Sequence, residues 1–126
     1  MFPPPGRVYI FLIQTHREKH LMMKIQHPKP EEILITFDTN PDSSDATAWT
    51  DEIRSALSGE EKSATVDLKA LPFLSSLGVN VIVALHNMIK KQDGRVTVLV
   101  PNAKMSHVFD LFQLRQLMDI QMIQPS

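Results

Sequence analysis

The chain has 126 residues, of which 43% are hydrophobic, a formal net charge of −1 and no cysteine. That length and apolar content suffice for one packed domain without disulfides or metal. The lack of cysteine removes disulfide scaffolds, thiolate metal sites and thiol catalysis, and fits a reducing, cytoplasmic setting. Lysines and arginines are scattered, with no basic cluster beyond the Lys90-Lys91 pair, so the footprint of a nucleic-acid binder is missing. The apolar run Val8 to Ile13 is far short of the ~20 residues of a membrane-spanning helix, and it has no small-residue cleavage site of the secretory kind.

Residues 1–22 do not read like the rest. Pro3-Pro4-Pro5-Gly6, a brief β-prone run and His16-Arg17-Glu18-Lys19-His20 look like an N-terminal extension, disordered or not native to the domain, with Met22-Met23 as an alternative start. From Met23 the pattern is regular, and residues 23–126 are expected to form one domain. Met23-Lys24-Ile25 and the β-branched, aromatic Ile33–Phe37 predict two strands, with Pro28-Lys29-Pro30 as the turn between them. Asp42-Ser43-Ser44-Asp45 offers capping oxygens to a helix whose apolar face carries Trp49, Ile53 and Leu57, and Gly59 stops it.

Ala64–Leu68 and Arg95–Val100 predict two buried strands joined by a long crossover, which makes them parallel. The segment between them is locally ambiguous, because Val79, Val81, Ile82 and Val83 favour a strand. Length decides for a helix from Ser76 to Lys91: Asn80, Asn87 and Lys91 recur on one side, Lys90 and Lys91 suit the negative end of the helix dipole, and Asp93-Gly94 supplies a stop. A last helix is expected over Asn102 to Met118, with Asn102 as N-cap and Met105, Phe109, Phe112 and Met118 in the core. Ile120–Ile123 reads as a short strand or a frayed end. The expected fold is α/β, a mixed sheet of about four to five strands packed with helices, in the order β-β-α-β-α-β-α.

At Val66-Asp67-Leu68 and Leu71-Pro72-Phe73-Leu74-Ser75-Ser76-Leu77-Gly78 the sequence resembles the STAS family of sulfate transporter and anti-sigma factor antagonist domains. The family signature is a buried strand ending in Asp, then a loop that enters a helix through aromatic-Ile-Asp-Ser-Ser-Gly. Phe73 and Leu74 take the hydrophobic positions, Ser75 stands where the family has Asp, Ser76 falls on the phosphoacceptor position of the regulated members, and Gly78 keeps the glycine. Leu77 replaces a small residue. The resemblance continues through Val79–Lys91, Val96–Val100 and Val108–Leu114, similar to the family's last-helix pattern. It implies an anti-sigma factor antagonist that binds an anti-sigma factor and serine kinase of the histidine-kinase-like ATPase type, is released by phosphorylation, and is reset by a matching phosphatase. The alternative it leaves open is a non-switching STAS subunit of a larger assembly such as a lipid-transport ABC system, which the missing carboxylate at Ser75 favours.

The resemblance places the phosphorylation site at Ser76 rather than Ser75, and partner contacts at Asp38, Asp42, Asp67, Ser75, Ser76, Leu77 and Asn80. The bland alternative for Ser75 and Ser76 is plain helix capping. Asp67 reads as a loop-capping carboxylate, and Asp38, Asn40, Asp42 and Asp45 as turn chemistry on the side where strand ends of α/β sheets gather ligands. His16 and His20 have no third ligand nearby and read as solvated. His86 and His107 have no Ser–Asp partners at useful spacing, and neither a Gly-x-Ser-x-Gly elbow nor a Gly-rich phosphate loop occurs. No enzyme, metal or cofactor is expected.

Overall fold

The computed structural model describes residues 7–14, 19–43 and 45–123, with side chains from residue 23 onward, residue 44 excepted. Six strands, β1 (Arg7–Gln14), β2 (Lys19–Lys29), β3 (Glu32–Phe37), β4 (Ser63–Asp67), β5 (Arg95–Val100) and β6 (Asp119–Met122), line up in one sheet in chain order. The helices α1 (Asp45–Ala56), α2 (Ser76–Lys90) and α3 (Ala103–Leu111) fill the three crossovers from β3 onward. The first three strands are antiparallel and the last four parallel, with Val66 opposite Val98 in the register of β4 and β5.

A sheet whose parallel strands follow in chain order places successive crossovers of one hand on one face. Burial agrees: Ile33, Ile35, Phe37, Ala64, Val66, Val96, Val98 and Val100 are buried, while the alternating Leu34, Thr36, Thr65, Asp67, Thr97 and Leu99 are half-buried. The molecule is therefore two layers, and its core lies between the helices and the inner face of the sheet. Trp49 and Ile53 of α1, Val79, Ile82, Leu85 and Ile89 of α2, and Met105 and Phe109 of α3 fill it.

The order expected from Met23 onward is present, with a further strand at each end. The expected extension boundary falls inside β2, and residues 7–14, expected outside the domain, pair with β2 as β1. The β2–β3 register shifts between Gln26 and Lys29, around Pro28, which has no N–H to give to the ladder. His16 lies outside the described residues, and so does the side chain of His20.

Helix ends differ from expectation in three places. Gly59 has φ 99°, yet α1 ends earlier, at Ala56, and Leu57 is half-buried just beyond it. At the end of α2 the left-handed residue is Asp93, φ 59°, while the Gly94 N–H reaches back to the Ile89 carbonyl at 2.9 Å. Glycine at 94 answers a close approach instead: a Cβ there would stand 2.9 Å from the Lys62 backbone. The last helix stops at Leu111 rather than Met118. Gln113 takes φ 57°, and Arg115 folds back so that its guanidinium donates to Asp110 Oδ1 at 2.5 Å and Ser106 Oγ at 2.6 Å. That turn rotates Phe112 out of the core, leaving it 53% exposed, while Met105, Phe109 and Met118 remain buried.

Candidate functional site

The loops that leave β3 and β4 meet at one end of the sheet, where α1 and α2 begin. Ser75 has extended backbone, φ −77° and ψ 163°, and its Oγ accepts the Gly78 N–H at 3.0 Å, so it is the N-cap of α2. The cap occupies the Ser75 hydroxyl and leaves Ser76, the first residue of α2, with its side chain in solvent. The two serines thus differ: Ser75 is the cap, and Ser76 beside it is exposed. No acidic residue lies in the first turn of α2.

Asn40, between β3 and α1, holds this loop from outside. Its Oδ1 accepts the Ser75 N–H at 2.8 Å and its Nδ2 donates to the Phe73 carbonyl at 3.0 Å. Phe73 has its backbone held in this way while its side chain is 60% exposed, whereas Leu71 and Leu74 on either side are buried. Gly78 faces the same knot: a Cβ there would lie 2.6 Å from Leu74 Cδ1 and 3.2 Å from Asn40 Oδ1.

Asp42 turns the chain into α1. Its carbonyl accepts the Asp45 and Ala46 N–H groups, each at 3.1 Å, and its Oδ1 accepts Asp45 N–H at 2.9 Å. Asp45 is buried beneath this turn, and burial pushes its carboxyl up against the opposing effect of the Asp42 N–H bond. Of the capping oxygens expected here, Ser44 lies outside the described residues. Alongside, α1 and α2 enclose a groove of about 390 Å³, lined by Ala46, Thr50, Asp51 and Arg54 from one side and Leu77 and Asn80 from the other.

Of the expected contact residues, Ser75, Ser76, Leu77 and Asn80 stand together along the start of α2, and Asp42 begins the helix opposite. Asp67, the last residue of β4, orders the turn that follows: its Oδ1 accepts the Lys69 N–H at 2.9 Å and its Oδ2 lies 3.6 Å from Lys69 Nζ. Asp38 is half-buried past the end of β3, and its buried Oδ2 has no hydrogen-bond partner among the described residues. Two participants were not legible in advance. The Asn40 bonds span 33 and 35 residues, and the sequence places Asn40 in a polar cluster at the strand ends without showing which backbone groups it holds. Phe73 read as one more apolar position, and only the geometry of the loop exposes it.

Elsewhere, His27 of β2 and Glu61 before β4 form a buried pair, Nε2 to Oε2 3.3 Å. The Glu61 carboxylate also accepts the Ser58 and Gly59 N–H groups and the Ser58 hydroxyl. His86 is buried on α2, and its pKa is lowered by burial and by Lys90 and Arg95; His107 is exposed, 3.9 Å from Asp110. Among the described residues there is no group of three or more His, Asp or Glu placed to hold a metal, and no helix long and apolar enough to cross a membrane.

The fold has counterparts among solved structures. The structure of the anti-sigma factor antagonist SpoIIAA in its unphosphorylated form superposes with TM-score 0.63 at 18% identity, covering 82% of this chain and 89% of that one. The phosphorylated form of SpoIIAA, a Bacillus cell fate determinant, gives 0.63 at 19% identity over 82% and 91%. An anti-sigma factor antagonist from Mycobacterium paratuberculosis gives 0.61 at 15% over 93% and 87%. These likenesses are of fold. No curated protein matches the chain by sequence. The STAS domain profile, however, matches residues 22–124, which span β3 to β6, all three helices and the Ser76 loop, and the chain belongs to the STAS domain family.

Proposed function

We propose that this protein is an anti-sigma factor antagonist that works by partner switching in the cytoplasm, and that Ser76 is its switch. The observation that carries the reading is the division of labour between the serines: Ser75 is committed to the cap, and the Ser76 hydroxyl stands in solvent on the first residue of a 15-residue helix. An anion at such a place meets free N–H groups and the positive end of the helix dipole. A phosphoserine at 76 is therefore compatible with the free fold. In a complex the same charge is pressed against the partner, and a buried charge without a matched partner costs several kcal/mol.

The unmodified surface suits protein contact. Phe73 offers an exposed aromatic side chain on a held backbone, the kind of anchor that dominates interface energies. Leu77 and Asn80 extend the surface into the groove against α1. The partner class is an anti-sigma factor that is also a serine kinase of the histidine-kinase-like ATPase type, with a phosphatase to restore the unmodified form. The competing reading, a STAS subunit fixed in a lipid-transport ABC assembly, draws on Ser75 standing in the place of the family's carboxylate. That carboxylate is absent, yet the cap is made: Ser75 Oγ accepts the Gly78 N–H.

Protein isolated from its native cell, digested and examined by mass spectrometry, tests the proposal. The expected result is a phosphorylated fraction at Ser76 with Ser75 unmodified, and co-purification of an ATP-binding kinase with the Ser76→Ala form. Unmodified Ser76 under every growth condition, with stable co-purification of transporter subunits, supports the fixed-subunit reading instead.

A further inference from the structure

The loop that carries Phe73 and Ser76 is set by a residue more than thirty positions upstream. Asn40 supplies both a donor and an acceptor to the loop, gripping the Phe73 carbonyl and the Ser75 N–H at 3.0 and 2.8 Å on either side of Leu74. It also sits against Gly78, whose missing side chain leaves it room. Because Asn40 lies in the segment leading into α1, the grip ties the entry of α1 to the entry of α2. The groove between the two helices and the exposed Phe73 and Ser76 side chains then form one continuous surface.

We infer that Asn40 is the positioning residue of this surface, fixing the loop in the conformation that presents Phe73 and Ser76 to a partner. Its service to partner binding rests on the function proposed above; its grip on the loop does not. An amide is required because the two loop groups have opposite needs. Aspartate keeps an acceptor for the Ser75 N–H and loses the donor to Phe73, while alanine loses both. Each released backbone group then turns to water, and the loop gains conformations in which Phe73 and Ser76 are no longer placed together.

Amide hydrogen exchange read by NMR, chymotryptic cleavage after Phe73 and thermal midpoints, measured on wild type, Asn40→Asp and Asn40→Ala, separate these effects. The expected result is that Ser75 N–H exchanges at least ten times faster in Asn40→Ala and stays protected in Asn40→Asp. Cleavage after Phe73 rises in both, and exchange at Leu85 and Ile89 within α2 is unchanged. Equal Ser75 exchange in all three proteins, or faster exchange through the whole of α2 with a matching drop in midpoint, overturns the inference. The kinase recovered with Ser76→Ala as bait is then titrated against the same proteins, with at least tenfold weaker binding expected for Asn40→Ala. Unchanged affinity despite a loosened loop overturns the positioning role in binding. Recovery of no kinase defeats the proposed function, and the exchange pattern still decides whether Asn40 holds the loop.

Discussion

Replacing Trp49 tests the packing of α1 directly. The side chain is fully buried, its ring meets Phe37 edge-on at 5.1 Å between centroids with planes at 75°, and its Nε1 is buried without a hydrogen-bond partner among the described residues. Deleting a large buried aromatic costs ~3–5 kcal/mol, and the lost ring pair accounts for about 0.5–1.5 of that. The orphaned N–H works the other way: its desolvation, about 1–3 kcal/mol, is already borne by the wild type and is relieved on truncation. Trp49→Ala is therefore expected at the low end, about 3–4 kcal/mol. With an unfolding entropy of ~2.1 cal/mol/K per residue, that lowers the thermal midpoint by roughly 11–15 °C. Trp49→Phe keeps most of the volume and removes the orphaned N–H, so it is expected to cost about 1 kcal/mol or less. Chemical denaturation followed by circular dichroism reads both without relying on the tryptophan. A cost for Trp49→Ala below ~0.5 kcal/mol refutes the assignment of Trp49 to the core.

Other expectations follow from the same geometry. Burial disfavours the charge of Glu61, but bonds from Ser58 and Gly59 outweigh it, so its carboxyl lies below the ordinary glutamate value of 4.5. A lowered carboxylate contributes stability that is present above its unfolded pKa and lost as pH falls through the folded one; Glu61→Gln should lower stability at neutral pH and shrink the loss below about pH 4.5, as denaturation midpoints against pH will read. Gly94→Ala gains helix-independent rigidity but drives a Cβ to 2.9 Å from the Lys62 backbone, so a net cost of about 1–3 kcal/mol is expected from urea titration. Ser75→Ala should cost about 1 kcal/mol through the lost cap, while Ser76→Ala should leave the midpoint within the ~0.5 kcal/mol typical of surface changes; the reverse order would exchange their roles.

Much of this was legible in the sequence because it is local. The alternation of Ile33, Ile35 and Phe37, the Val66–Val98 crossover and the Asn102 cap, whose Oδ1 accepts the Met105 N–H at 2.8 Å, follow from periodicity and capping chemistry. The β-branched run Val79–Val83 was resolved by the length of the segment, its polar face and its stop signal, and the helix buries Val79, Val81, Ile82, Leu85 and Ile89. What was not legible depends on distant contacts. The halt of α3 at Leu111 comes with a left-handed Gln113 and with Arg115 reaching back to Asp110 and Ser106, contacts that helical periodicity does not encode. Likewise, the Asn40 bond to the Phe73 carbonyl joins residues 33 apart, and the buried His27–Glu61 pair joins residues 34 apart. At the site, the resemblance to the STAS family singled out Ser76 over Ser75, and the occupied cap of Ser75 supplies a physical difference between the two.

The central claim is that charge at Ser76 governs partner binding without disturbing the fold. Titration calorimetry of the purified partner kinase against wild type, Ser76→Ala and Ser76→Asp, each checked for an unchanged thermal midpoint, addresses it most directly. Aspartate carries less charge than phosphoserine, yet an unmatched charge in the interface costing several kcal/mol lowers affinity by more than about a hundredfold. The expected result is equal binding of wild type and Ser76→Ala and at least that loss for Ser76→Asp. Equal affinity of all three forms would contradict the switch.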